Sequence, residues 1–318
     1  MHTTPYGQNH EGLDLMYTTL NAMIKYPWPR KNTGNRSRKW GHYDTEENEF
    51  SDVRQLKTPG PNDGVSLESR IMDWADDVTY AIHDMIDFYK AGLVPVDELG
   101  NNRGERENFV NEFRKEYSSI PDRWDAEDFM MDKVRKIGQV AGHSQGNALT
   151  TSFDGSSRDL STLGFLASEL IERYIGVGPG HDAISVNPNA DTGLDIKDEL
   201  VYEVKFLKFL TEHYVFNDPA LIAQQHGQRR LVEELFDILY SATEEESEYR
   251  GIIHPPFDEK VNSIHDGSIG YTNIDEETLR ARVVADLVAS MTEQQTLQLY
   301  KRLSGHSPGL VTDRIVTP

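Results

Sequence analysis

The sequence predicts an all-α protein. Apolar residues recur at helical spacing along most of the 318 residues. Alternating runs that would build half-buried strands are nearly absent, and the stretches between periodic segments are rich in Gly, Pro, Asn and Asp. A first helix is expected at about 12–25, followed by a loop over 27–64 with no helical period. The 66–90 segment places Ile71, Ala75, Val78, Ile82, Met85 and Tyr89 at steps of four and three, one face of a helix. Val94–Val96 is too short for a strand and holds Pro95.

Further helices are expected at about 105–118, 125–140 and 160–175. In 195–216, Leu200, Val204, Leu207, Leu210 and Tyr214 repeat the stripe. Asn217-Asp218-Pro219 breaks that helix, and Leu231, Leu235, Ile238 and Leu239 mark the next at 219–243. Residues 244–275 read as a loop, before helices at 276–290 and 292–304. The Gly- and Ser-rich stretches 142–159 and 176–194 are the candidate boundaries, giving an expected division into 1–150 and 151–318.

Composition excludes several function classes. The chain has 32 Lys and Arg against 53 Asp and Glu, a formal charge of −21. A surface that coats nucleic acid is not expected from that balance. No cysteine is present, so thiolate catalysis, disulfides and Cys-ligated zinc are ruled out. No apolar run approaches the ~20 residues of a membrane span, and no signal peptide opens the chain. A cytoplasmic protein with no membrane partner is expected.

Two features point to chemistry. On the 66–90 helix, opposite the apolar stripe, Asp76, Tyr80, His83, Asp84 and Asp87 form one continuous polar line. The helix holds five Asp and no Lys or Arg between Ile71 and Tyr89. Asp is a poor interior helix former, and like charges at i, i+4 repel. The line is reasonable either as a solvated acidic face or as a face met by cations: a divalent metal, Lys or Arg from elsewhere, or a protonated His.

The second feature is a basic island. Lys25, Arg30, Lys31, Arg36, Arg38 and Lys39 fall within 25–39, interleaved with Tyr26, Trp28, Trp40 and Tyr43. Cations beside aromatics suit a polyphosphate with a base to stack. The plainer alternative is a charged loop anchored by its two Trp side chains.

The wording of these stretches is specific. "GLDLMYTTLNAMIKYPWPRK" (12–31), "RKWGHYDTEENEF" (38–50) and "SLESRIMDWADDVTYAIHDMIDFYKAGLV" (66–94) closely resemble consecutive segments of the dGTP triphosphohydrolase family, within the HD phosphohydrolase superfamily. "LKFLTEHYVFNDPALIAQQHGQRRLVEELFDIL" (207–239) and "ARVVADLVASMTEQQTLQLYKRL" (281–303) resemble its C-terminal helices. The likeness covers most of the chain in order and is weakest over 95–195.

The resemblance implies a multi-helix HD-type bundle with a C-terminal helical domain. It implies metal-dependent hydrolysis of a deoxynucleoside triphosphate to deoxynucleoside and triphosphate. Asp76 matches the family's last metal ligand, with Mg or Mn as the implied ion. Tyr80 matches a tyrosine lying against the sugar, and Asp84 a carboxylate near sugar and phosphates. Lys25, Tyr26 and Lys39 fall where the family contacts substrate.

The sequence departs from the family in one respect. The upstream His, the His-Asp pair and the "GHxPFGHxGE" stretch do not occur in it, so the bundle is expected to be incomplete at its N-terminus. His83-Asp84, His181-Asp182 and His265-Asp266 are His-Asp dyads, with His42 upstream of the first. The latter two read as turn residues, and none stands in the family's context.

Two functions follow as expectations. One is a triphosphohydrolase, incomplete or inactive alone, whose His ligands come from a separate polypeptide or are lost in a truncated or split reading frame. The other is a non-catalytic nucleotide-binding or regulatory subunit. The family implies a homo-oligomer and a dNTP as substrate or effector. Single-stranded nucleic acid on the 25–43 island is a third reading that the net charge opposes.

Overall fold

The computed structural model describes residues 15–31, 33–55, 64–121, 124–132, 153–178, 181–187, 193–268 and 274–307. It is all-α, as the periodicity predicts, apart from two antiparallel hairpins of two- and three-residue strands. The chain groups into two compact units. One comprises 22–27 and 57–222, the other 1–21, 28–56 and 223–318. The expected boundary near residue 150 lies outside the described residues.

The first unit is organised around α3 (Leu67–Lys90); α1 (Tyr17–Met23) and α2 (Glu47–Arg54), which precede it in the chain, fall in the other unit except for the last two residues of α1. Ser66 caps α3, its Oγ accepting from Ser69 N at 3.1 Å. Gly92, at φ +72°, ends it. Gly92 N donates to Tyr89 O and Leu93 N to Phe88 O, both at 2.9 Å, which is a Schellman closure requiring a left-handed residue.

Two short helices follow: α4 (Val96–Asn101) and α5 (Arg103–Glu116). Residues 126–132 form α6, and the rest of the helix expected over 125–140 lies outside the described residues. α7 (Ser157–Ile175) and α8 (Asp198–Tyr214) pack on α3. Val78, Ile82, Leu166, Leu170, Val204 and Phe206 are buried in the shared core. Such aliphatic and aromatic burial contributes about 1.5–3 kcal/mol per side chain.

The apolar stripe of α3 is as predicted at Val78, Ile82, Met85 and Tyr89, but Ile71 is exposed. Trp74 takes that part of the interface, its indole N–H donating to the Tyr174 carbonyl at 3.0 Å. Between α7 and α8, Arg173 makes a forked ion pair with Glu203, Nε to Oε2 being 2.6 Å. Glu203 is 1% exposed.

The segment 176–194, expected as loop, contains the strands β1 (Val177–Gly178), β2 (His181–Asp182) and β3 (Ile184–Val186), with β4 (Leu194–Ile196) after it. β3 and β4 pair Ile184 with Ile196 and Val186 with Leu194.

The second unit is built from α9 (Pro219–Ala242, entering it at Ala223), α10 (Phe257–His265), α11 (Glu276–Ser290) and α12 (Glu293–Leu303). Leu235, Leu239, Val261, Val283, Val284 and Leu287 are buried in its core. The expected loop 244–275 therefore contains a helix, because Phe257, Val261 and Ile264 supply one apolar face. Arg250 pins that region, donating to Asp258 Oδ1, the Thr243 carbonyl and Asn262 Oδ1 at 2.8–2.9 Å. α2, also expected as loop, is held by Arg54 Nη1 on Asn21 Oδ1 at 2.6 Å. Among the described residues no helix is long and apolar enough to cross a membrane.

Candidate functional site

The polar line of α3 is present as the spacing requires. Asp76, Tyr80, His83 and Asp87 are exposed and Asp84 is half-buried, on successive turns of one face. The surplus of carboxylate on this helix is met largely by lysines. Lys25 Nζ lies 2.5 Å from Asp73 Oδ1 and 3.0 Å from Asp76 Oδ2. Lys208, on α8, reaches Asp77 Oδ1 at 2.9 Å, and Lys90 reaches Asp87 at 3.2 Å.

Lys25 is delivered by the segment just after α1, which Ser69 Oγ holds by donating to the Ile24 carbonyl at 3.0 Å. Partial burial works against the Lys25 charge, but the bonds to Asp73 and Asp76 outweigh it and raise its pKa. Tyr26 follows directly, its ring centroid 5.9 Å from Lys25 Nζ. Lys25, Tyr26, Asp76, Tyr80 and Asp84 thus fall in one compact unit.

One turn further along, the Tyr80 hydroxyl is bonded to Asp84. Burial, then the Asp84 charge and that bond, raise the phenol's pKa. The Asp84 carboxyl is also raised. Burial is the main cause and Asp87 adds to it, while the bond from Tyr80 and the His83 charge oppose it. Lys208 Nζ lies 5.7 Å from the centre of the Tyr80 ring.

Lys39 lies in the other unit, on an exposed loop, where its carbonyl accepts from Trp28 Nε1 at 2.8 Å. The basic island is therefore divided between the units after Pro27. Within its second part the Trp rings stack on Arg30 and Arg36 of the same loop.

Among the described residues the histidines do not rebuild a metal centre. His42 is buried, with Nε2 2.6 Å from Glu47 Oε2 and its ring stacked on Phe50 at 3.9 Å. His265 ends α10 and bonds the Thr243 carbonyl, and Asp266 is the C-cap residue, its Oδ1 accepting from Ser268 N, so of that dyad the Asp alone lies in the expected turn. His181 and Asp182 lie in β2 rather than a turn. Among the described residues no three His, Asp or Glu side chains are placed to hold a metal ion. Asp73 and Asp76 converge on one cation, Lys25, so this point accepts positive charge through hard oxygens. It lacks the imidazoles of the set implied by the resemblance, and these residues do not fit that site alone.

Sequence reasoning missed Lys208 as the partner of Asp77, 131 residues away, since no local pattern announces such a contact. It also missed a cavity of about 660 Å³ whose lining includes Trp124, Asp128, Arg173 and Glu203 and none of the expected site residues.

Residues 194–302 match the phosphohydrolase-associated domain family. The chain is 27% identical over 316 residues to a deoxyguanosinetriphosphate triphosphohydrolase-like protein of Corynebacterium efficiens, covering 93% of this chain and 64% of the relative. A protein of the same description from Corynebacterium glutamicum is 27% identical over 304 residues, covering 91% and 62%. This chain is a homologue of the dGTP triphosphohydrolase-like proteins. A Streptomyces coelicolor protein so described is 26% identical, covering 93% and 64%. The chain spans less than two thirds of the length of these dGTP triphosphohydrolase-like relatives.

Proposed function

We propose that this chain forms the sugar- and phosphate-facing part of a site that hydrolyses a deoxynucleoside triphosphate, dGTP-like, to deoxynucleoside and intact triphosphate. The observation that supports this reading is the α3 line itself. Asp76, Tyr80 and Asp84 stand on consecutive turns of one face, with Lys25 docked at its first carboxylate.

Each residue has a role suited to its surroundings. Lys25 offsets triphosphate charge as a mobile point charge. Tyr80, its hydroxyl committed to Asp84, presents a ring against the sugar. Asp84 accepts from a sugar hydroxyl. Tyr26 and Lys39 add substrate contacts. Asp76 contributes one carboxylate oxygen to a divalent ion, Mg or Mn, whose imidazole ligands come from outside these 318 residues. When bound, such an ion activates water and offsets phosphate charge. A homo-oligomer or a separate polypeptide bearing the His and His-Asp ligands completes the site.

A second reading has an observation of its own. Lys25 lies between Asp73 and Asp76, so this part of the α3 line is charge-balanced without a metal. That balance favours a non-catalytic subunit that binds a dNTP as effector.

Triphosphate release from the four dNTPs with Mn²⁺, measured for the purified chain and its Asp76→Ala variant, tests both. Release that is lost in the variant supports hydrolysis at Asp76 and contradicts the requirement for outside ligands. Saturable nucleotide binding without release is expected of both readings; release restored by a polypeptide bearing the His and His-Asp ligands supports the first, and no release in its presence supports the second. Neither binding nor release by a folded chain overturns both.

A further inference from the structure

The 28–41 loop carries four cations that the reading of α3 does not use. Its two branches are joined at the mouth, where Gly41 N donates to the Trp28 carbonyl at 3.1 Å. They are joined again near the tip, where Lys31 N donates to the Arg36 carbonyl at 3.0 Å. Gly34, at φ +72°, makes the reversal between them, and Ser37 Oγ donates to its carbonyl at 2.8 Å. Two stacks run from branch to branch. The Arg30 guanidinium lies 5.1 Å from the Trp40 ring, and that of Arg36 lies 5.0 Å from the Trp28 ring.

Stacking engages the flat face of a guanidinium and leaves its N–H fork open for phosphate. Arg30, Lys31, Arg36 and Arg38 are all exposed. Among the described residues none of the four is paired with a carboxylate, in a chain with 53 acidic residues against 32 basic. Elsewhere Arg103, Arg173, Arg230, Arg250 and Arg282 each have an acidic partner. Four neighbouring cations held at mutual repulsion by backbone bonds and ring stacking are arranged for an anion from outside the chain.

We propose that Arg30, Lys31, Arg36 and Arg38 form a binding loop for a compact polyphosphate, such as a triphosphate group. Its several charges within a few ångströms suit cations grouped within nine residues. A long phosphodiester strand would extend over a surface of net charge −21. The Trp rings are engaged by arginines rather than left as platforms for bases. The loop belongs to the unit that does not contain α3, and the inference does not rest on the nucleotide reading of α3.

The test is titration of the full chain with inorganic triphosphate, followed by calorimetry and by tryptophan fluorescence, since Trp28 and Trp40 sit in the loop. Saturable binding is expected. It should weaken at raised salt and by about tenfold or more in the Arg30→Gln/Arg36→Gln/Arg38→Gln variant. Arg103→Gln, an exposed arginine on α5 outside the loop, should bind as the parent does. Competition by dGTP shows that the group is read as part of a nucleotide, and lack of competition shows that the free anion is the ligand. Both outcomes support the loop. If the triple variant loses its fold, Arg38→Gln, which disturbs no stack, should weaken binding in the same direction. Unchanged affinity in the variants overturns the proposal, as does absence of saturable binding. Binding of an oligothymidylate through the loop without binding of triphosphate also overturns it.

Discussion

Lys25 Nζ stands 3.0 Å from Asp76 Oδ2 and 2.5 Å from Asp73 Oδ1, so one ammonium joins the segment after α1 to two neighbouring carboxylates of α3. These two carboxylates are more than half exposed. The pair is therefore a weak structural device, contributing about 1 kcal/mol or less, and its exposure leaves Lys25 able to exchange carboxylate for phosphate. Lys25→Ala should lower stability by no more than that in urea denaturation. It should weaken dGTP binding by about tenfold. A large stability loss with unchanged binding would place Lys25 in the scaffold instead.

Lys39 is exposed on the basic loop. Lys39→Ala should reduce affinity for dGTP by several-fold more than affinity for deoxyguanosine, as expected for a charge that meets phosphate. Equal losses for the two ligands would remove it from the phosphate site.

The Arg173–Glu203 pair behaves differently, because Glu203 is 1% exposed. Glu203→Ala removes the fork partner of Arg173, which is a third exposed and keeps Glu199 at 3.2 Å, and should cost about 1–3 kcal/mol. Replacement by Gln keeps part of the bonding and should cost less. Chemical denaturation of the two variants checks the order, and equal values would contradict it.

Tyr117 gives a pH dependence. Burial, then the Glu212 charge and a bond to Glu212 Oε2 at 3.3 Å, push its phenol up to about 12 from 10.0. The folded chain therefore holds this proton more tightly than the unfolded chain does. The associated stability is full below about pH 10 and falls as pH rises towards about 12. Tyr117→Phe should flatten the decline in unfolding free energy across that window. An unaltered alkaline decline would show that Tyr117 titrates alike in both states.

Local periodicity made the helices legible. Val78, Ile82 and Met85 were readable as one buried face because burial repeats every 3.6 residues. Ile71 was misread because Trp74, three residues on, reaches the Tyr174 carbonyl and takes the interface. The hairpins were hidden because strands of two or three residues are too short to alternate. α10 was masked by the acidic run and paired prolines before it, although Phe257, Val261 and Ile264 carried its stripe. In the candidate site, the line from Asp76 to Asp84 follows from spacing on one helix. Its cations do not: Lys208 meets Asp77 across 131 residues and Lys25 meets Asp76 across 51, distances that only the packed fold closes.

Both functional readings require that the α3 line hold a nucleotide. Equilibrium binding of dGTP to the folded chain, alongside Tyr80→Ala and Asp84→Asn, measures that directly. The account predicts saturable binding that weakens about tenfold in each variant, with thermal unfolding of Asp84→Asn no lower than the parent's, since burial disfavours the charge at that position. Binding that is absent from the folded parent, or identical in all three proteins, would contradict it.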